Sequence, residues 1–172
     1  MLNVEQKKEF LLKAYKVAQG SPDPSTQNGA IIVKQDGDQY IPITGACNTF
    51  PKGVTNKAER LKTPLKYGMV EHAERGAIYG LIGQNLTRAE IAEQCVMYVP
   101  WAACADCARA IIASGLRHIV VHEDMMSKTP DRWKESIQIA FEMLNEVGVE
   151  VESISGKLNG PKLLFNGETW EP

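Results

Sequence analysis

Two short segments hold the residues with the most chemical potential: Glu71-His72-Ala73-Glu74, and Pro100-Trp101-Ala102-Ala103-Cys104-Ala105-Asp106-Cys107. Cysteines spaced like Cys104 and Cys107 at a helix start share one face and can converge on a single ion, with His72 from a second element as third ligand. Three protein ligands leave the fourth tetrahedral position of a zinc ion open to water, which distinguishes a catalytic zinc from a closed structural one. Glu74 follows His72 by two residues, about 200° around an ideal helix, so the two side chains are not neighbouring ligands of one ion. A carboxylate beside an activated water instead suits general acid/base work, taking a proton and passing it on. Helix N-termini at both segments would favour thiolates and a zinc-bound hydroxide.

Each of these residues also has a plainer reading. A lone histidine is by default a satisfied core residue, and Cys104/Cys107 could be a redox dithiol or half of a structural zinc site. A closed four-cysteine site would need Cys47 and Cys95, which sit singly in apolar strand contexts and read as small core residues. A purely structural or redox module has no use for Glu74, and that carboxylate tips the balance toward catalysis. His122 ends a predicted strand on the side where ligands of open α/β sheets bind, which makes it a candidate substrate contact, while His118 reads as structural. Trp133 and Phe141 share an apolar helix face and read as core. Between Asn48 and His72, Lys52, Lys57, Arg60, Lys62 and Lys66 outnumber Glu59 and Glu71. This excess is enough for a mononucleotide phosphate or a triphosphate effector, but too narrow for a long RNA.

The elements that must position these residues follow from pattern. Residues 4–19 have apolar positions at helical spacing and stop at Gly20. Residues 30–33 and 40–44 flank Asp36-Gly37 as a hairpin, with Pro42 marking an edge strand. A long polar connection then leads to a helix over 72–82, a strand over 95–99, a helix over 105–114 ended by Gly115, and a strand over 118–122. Thr129 is placed to cap a last helix, with Pro130 in its first turn and Gly148 at its end, followed by a strand over 149–151. Strands joined through single helices run parallel, so the expected fold is a three-layer α/β sandwich with a mixed sheet of about five strands. No element is assigned to residues 156–172.

Composition sets the frame. The 172 residues suit one domain, 1–172, with 44% hydrophobic and 23% charged residues and no low-complexity tract, which excludes disorder. Nineteen Lys and Arg against 21 Asp and Glu leave a net charge of −2, which excludes a surface built throughout for a polyanion. With no apolar leader in the first ten residues and no long apolar run, the chain reads as cytosolic, with its four cysteines reduced.

Zinc-dependent base deaminases carry an H-x-E motif with a later P-C-x-x-C motif. From Asp23-Pro24-Ser25-Thr26-Gln27 to Gly148-Val149-Glu150-Val151 the sequence resembles the cytidine and deoxycytidylate deaminase superfamily, most of all its deoxycytidylate group. Cys47-Asn48-Thr49-Phe50-Pro51-Lys52-Gly53 is similar to that group's nucleotide-contacting loop, and Ala103 stands where the family has proline before the first zinc cysteine. The resemblance implies Zn²⁺ on His72, Cys104 and Cys107, with Glu74 as proton carrier. It also implies that the Asn48 side chain reaches the sugar, the Ala73 N–H the base O2, the Ala102 carbonyl the exocyclic amine, and Ser25 the phosphate. The implied reaction is dCMP to dUMP in a homo-oligomer, often a hexamer, with dCTP and dTTP as effectors and Mg²⁺ accompanying a triphosphate. The alternatives are deamination of tRNA adenosine or free cytidine, or a non-catalytic zinc or redox module.

Overall fold

The computed structural model describes residues 2–172. Asn3 and Gln6 exchange side-chain and backbone hydrogen bonds at the start of α1 (Val4–Ala18), satisfying two otherwise orphaned donors. The helix buries Phe10, Leu11, Ala14, Tyr15 and Ala18, and complete burial of a leucine such as Leu11 stabilises by about 1.5–3 kcal/mol. Strands β1 (Gly29–Asp36) and β2 (Gln39–Cys47) form the expected hairpin. Pro42 lies on the edge strand beside a register shift, where its missing N–H interrupts no inner ladder.

The long connection is more ordered than its polarity suggests, holding a 3₁₀ turn (Ala58–Leu61) and a short α2 (Leu65–Met69). Next come α3 (Ala73–Tyr79), α4 (Arg88–Gln94), β3 (Cys95–Tyr98), α5 (Ala105–Ser114) and β4 (His118–His122). The chain continues through α6 (Glu123–Met126), α7 (Asp131–Glu146), β5 (Glu150–Ile154), β6 (Leu163–Phe165) and β7 (Glu168–Trp170). Helix α4 was not expected, although Thr87 and Glu90 form a complete capping box at its start. Thr129 does not cap α7. Pro130 holds the cap position with no side-chain cap bond, and the Thr129 hydroxyl donates to Met126 O and accepts from Trp101 Nε1. At the end of α5, Gly115 has φ +94°, the left-handed conformation that glycine adopts without a Cβ penalty.

The five-stranded sheet has the order β2-β1-β3-β4-β5, antiparallel from β2 to β3 and parallel from β3 to β5. Strand alternation sorts side chains to two faces. Ile32, Met97, Ile119 and Val121 meet Ala77 of α3, Ala108 and Ile111 of α5, and Leu144 of α7. On the opposite face Ile31, Val33, Tyr98 and Val120 meet α1 and the β6–β7 hairpin. This is the expected three-layer sandwich with a mixed sheet, and the tail adds a small antiparallel pair to one layer. At Gly29 a Cβ would lie 2.3 Å from the Ala14 carbonyl oxygen, so glycine lets α1 press against the start of β1. Among the described residues, no helix is long and apolar enough to cross a membrane.

Candidate active site

His72 is held from both sides. Before it, Glu71 and Thr49 exchange backbone hydrogen bonds of 2.8 and 3.1 Å, fastening this strand-like segment to the end of β2. The Glu71 carboxylate accepts from the His72 N–H at 3.0 Å and from Arg75 Nε. His72 then takes the cap position of α3 with extended backbone, which leaves its ring free to point away from the helix. Cys104 occupies the equivalent position on α5, with Cys107 one turn in. The start of α5 is tied to α7, where Ser136 Oγ accepts from the Ala105 N–H at 3.1 Å.

These elements bring three donor atoms together. His72 Nδ1 lies 3.5 Å from Cys104 Sγ and 3.4 Å from Cys107 Sγ, and the two sulfurs are 3.6 Å apart. Tetrahedral zinc with ordinary Zn–S and Zn–N bonds would set such edges at roughly 3.8 Å between sulfurs and roughly 3.6 Å from sulfur to nitrogen. The donor set and its spacing therefore fit one zinc ion with little adjustment. Among the described residues this is the one cluster of three or more such side chains.

The same packing sets the protonation of the cluster. The hydrogen bond between the thiols, outweighing the cost of burial and helped by His72, pulls Cys104 down to about 3, and with burial it pushes Cys107 upward. Burial opposes charge on His72, but its bond to Cys104 and the nearby Glu74 outweigh that and raise its pKa. Glu74 is 3% exposed, and desolvation raises its carboxyl above the ordinary range. A carboxyl poised to hold a proton, beside two thiols and an imidazole, is equipped for proton transfer rather than for surface solvation.

Glu74, His72 and Cys104 line one cleft that is open to solvent. Asn48, Ala73 and Ala102 also line it. The Asn48 side chain is largely committed to its own wall: Oδ1 accepts from Asn28 N at 2.7 Å and Nδ2 donates to Thr26 O at 2.7 Å. Of the cations between Asn48 and His72 only Lys66 reaches the cleft, and it is bound to both Asp23 carboxylate oxygens at 3.1 Å.

Two expected contacts do not reach the cleft. His122 is fully buried behind the sheet, its Nδ1 2.7 Å from the Tyr15 hydroxyl and its Nε2 3.0 Å from Gly156 O. His122 ends β4, and α1 and the chain after β5 cover it there. Ser25 lies outside the lining, its backbone N–H on Asp23 Oδ1 and its carbonyl accepting from Gly167. Trp133, expected in the core, instead lines the cleft together with Arg132, Trp101 and Tyr67. Its ring stands edge-on to those of Tyr67 and Trp101. Asp23, Thr26 and Asn28 complete the polar wall and were not foreseen. Asn28 Oδ1 is, among the described residues, the one buried side-chain polar atom without a hydrogen-bond partner. Leaving such an acceptor unmatched costs about 1–3 kcal/mol.

Residues 4–123 match the family described as the cytidine and deoxycytidylate deaminase zinc-binding region. The chain belongs to this deaminase family. It is 33% identical over 147 residues to an uncharacterised deaminase of the luxG 3′ region of Aliivibrio fischeri, covering 84% of this chain and 90% of that one. Mouse deoxycytidylate deaminase is 34% identical over 119 residues, 67% of this chain and 63% of the mouse protein, so the likeness spans less than two thirds of that enzyme. The dCMP deaminase of the cyanophage S-TIM5, solved with dCMP and dUMP, shares the fold with a TM-score of 0.66 at 20% identity, over 89% of this chain and 99% of that one.

In the present chain the β6–β7 hairpin lies beyond the matched segment yet braces the cleft. Gln27 exchanges two hydrogen bonds with the Leu164 backbone, Thr26 Oγ1 accepts from Asn166 N, and Asn166 Oδ1 accepts from Arg132 at 2.8 Å. Phe165 packs edge-on to Trp101 with ring centroids 5.0 Å apart.

Proposed function

We propose that the chain, as one domain over 1–172, hydrolyses dCMP to dUMP and ammonia, with one zinc per chain on His72, Cys104 and Cys107. The observation that carries this reading is a buried carboxyl, Glu74, facing the same cleft as the His72/Cys104/Cys107 cluster. Zinc, when bound, supplies the Lewis acidity that makes water a nucleophile near neutral pH. Glu74 takes the proton of that water, delivers it to N3 of the cytosine as C4 is attacked, and then carries a proton to the departing amine. The atoms balance: one water enters, the C4–N bond breaks, and ammonia leaves a carbonyl at C4. The Ala73 N–H would hold the base O2 and the Ala102 carbonyl the exocyclic amine. The aromatic wall of Trp101, Trp133 and Tyr67 encloses the base.

A 5′-phosphate needs a cation. Lys66 is neutralised by Asp23, whereas Arg132 is exposed at the cleft with a neutral partner, Asn166, so Arg132 takes the role first sought in Ser25 and the Lys52–Lys66 run. The deoxycytidylate relatives and the cyanophage enzyme solved with dCMP and dUMP support a nucleotide substrate. Homo-oligomer formation and control by dCTP and dTTP, with Mg²⁺ on the triphosphate, follow from the family resemblance, and sedimentation with and without each effector tests them.

The experiment is an ammonia-release screen of dCMP, CMP, deoxycytidine, cytidine and a tRNA, run on the native protein and on Glu74→Gln. We expect dCMP to be turned over best and Glu74→Gln to keep its zinc while losing roughly 10² to 10⁴ in rate. Equal efficiency on deoxycytidine and dCMP would move the assignment to a nucleoside deaminase. Near-native turnover in Glu74→Gln would refute the proton carrier.

A further inference from the structure

Asn28 stands immediately before β1, at the end of the sheet where the chain after β2 leads to Thr49, Glu71 and His72. Its backbone is fully used, the N–H bonding Asn48 Oδ1 and the carbonyl accepting from Asn48 N at 3.0 Å. The residue is 7% exposed and lines the cleft, yet Oδ1 has no partner. Folded proteins seldom leave a buried acceptor unmatched, and an exception in a cleft wall points to a donor supplied by a ligand.

The surroundings restrict which donor it can be. Asp23, the Asn28 amide oxygen and the Thr26 carbonyl make this wall rich in acceptors, which repels a phosphate. Of the cleft's two side-chain cations, Lys66 is held by Asp23 and Arg132 is the one assigned to the phosphate. The reacting amine of a cytosine must face Glu74 and the His72/Cys104/Cys107 cluster, so it is not available to Asn28. In a 2′-deoxynucleoside 5′-monophosphate the one remaining free hydroxyl is the 3′-OH.

We propose that Asn28 is a substrate-binding residue whose Oδ1 accepts a hydrogen bond from the 3′-hydroxyl of the sugar, so that the cleft selects nucleotides with a free 3′ end. This rests on the cytosine-nucleotide reading of the cleft. Asn48 then acts as a positioning residue, fixing the Asn28 backbone so that the amide meets the sugar.

The test compares kcat/KM for dCMP and 2′,3′-dideoxy-CMP on the native protein, Asn28→Leu and Asn28→Asp, with zinc content and thermal unfolding confirming that each is folded. Leucine has a similar shape and no acceptor; aspartate keeps the acceptor. The native protein and Asn28→Asp should prefer dCMP by about 10-fold, the size of one hydrogen bond, and Asn28→Leu should lose that preference. Should Asn28→Leu fail to fold, loss of the preference in a folded Asn28→Ala supports the role equally. A preference undiminished in the variant without the acceptor, or no preference in an active native protein, would overturn the role of Asn28 alone. A native protein inert on every cytosine nucleoside and nucleotide would overturn the substrate reading and Asn28 with it.

Discussion

The indole of Trp133 stands edge-to-face against the imidazole of His72, with ring centroids 5.9 Å apart and planes at 68°. A residue on α7 thus fixes the orientation of a ring that begins α3, two elements separated by much of the chain. The same indole touches Tyr67 and Trp101, so one side chain links the connection before α3, the turn before α5, and α7.

Replacing Trp133 by alanine therefore removes three aromatic contacts at about 0.5–1.5 kcal/mol each and frees the His72 ring. Thermal unfolding should fall by several degrees, at roughly 2–4 °C per kcal/mol for a chain of this size, and zinc should be lost to a weaker chelator. Trp133→Phe should recover most of both. Native Tm and zinc retention in the alanine variant would contradict this linkage.

Zinc content should report the cluster directly. The native protein is expected to hold one zinc per chain, and Cys104→Ser to hold much less at the same free zinc. Elemental analysis after dialysis measures this, and full stoichiometry in Cys104→Ser would remove Cys104 from the ligand set. Stripping the metal should also lower Tm, because an ion bound only by the native state stabilises it.

Glu74 should cost stability in a pH-dependent way. Burial raises its folded pKa above the ordinary 4.5, so its proton-linked stability is fully present below that pH and is lost as pH rises through the folded pKa. Measured on zinc-depleted protein, the Tm of Glu74→Gln should match the native value near pH 4.5 and exceed it increasingly toward neutrality. A difference that does not change with pH would show that burial is not what holds the proton.

Arg132 should set the preference for a phosphorylated substrate. A charge-assisted hydrogen bond contributes about 1.5–3 kcal/mol, so Arg132→Gln should cut the ratio of kcat/KM for dCMP over deoxycytidine by roughly 10- to 100-fold. Lys52→Gln, on an exposed position outside the cleft, should leave that ratio unaltered. Equal effects from both variants would point to a diffuse field rather than a built contact.

Much of this architecture is legible in the sequence because it is written locally. The α5 and β4 boundaries follow from helical spacing, a glycine stop and a β-branched run, and His72, Cys104 and Cys107 announce themselves by type and spacing. Helix α4 is equally local, since Thr87 and Glu90 spell a capping box at its start. The rest depends on distant partners. Trp133 has the spacing of a core residue, and only the approach of α2 and α3 makes it a cleft wall. His122 lies where a ligand contact could be, until Tyr15 and Gly156 cover it. Asn28 carries no pattern at all, and only the fold shows that its side-chain oxygen is buried without a partner.

The hairpin over residues 163–170 divides the support of the site between two parts of the chain. The hairpin holds the Thr26–Gln27 wall and Arg132, whereas the His72/Cys104/Cys107 cluster is held by α3, α5 and α7, so the two ends of the cleft have separate supports. A bulky tag joined just after Pro172 would disturb substrate selection sooner than metal content.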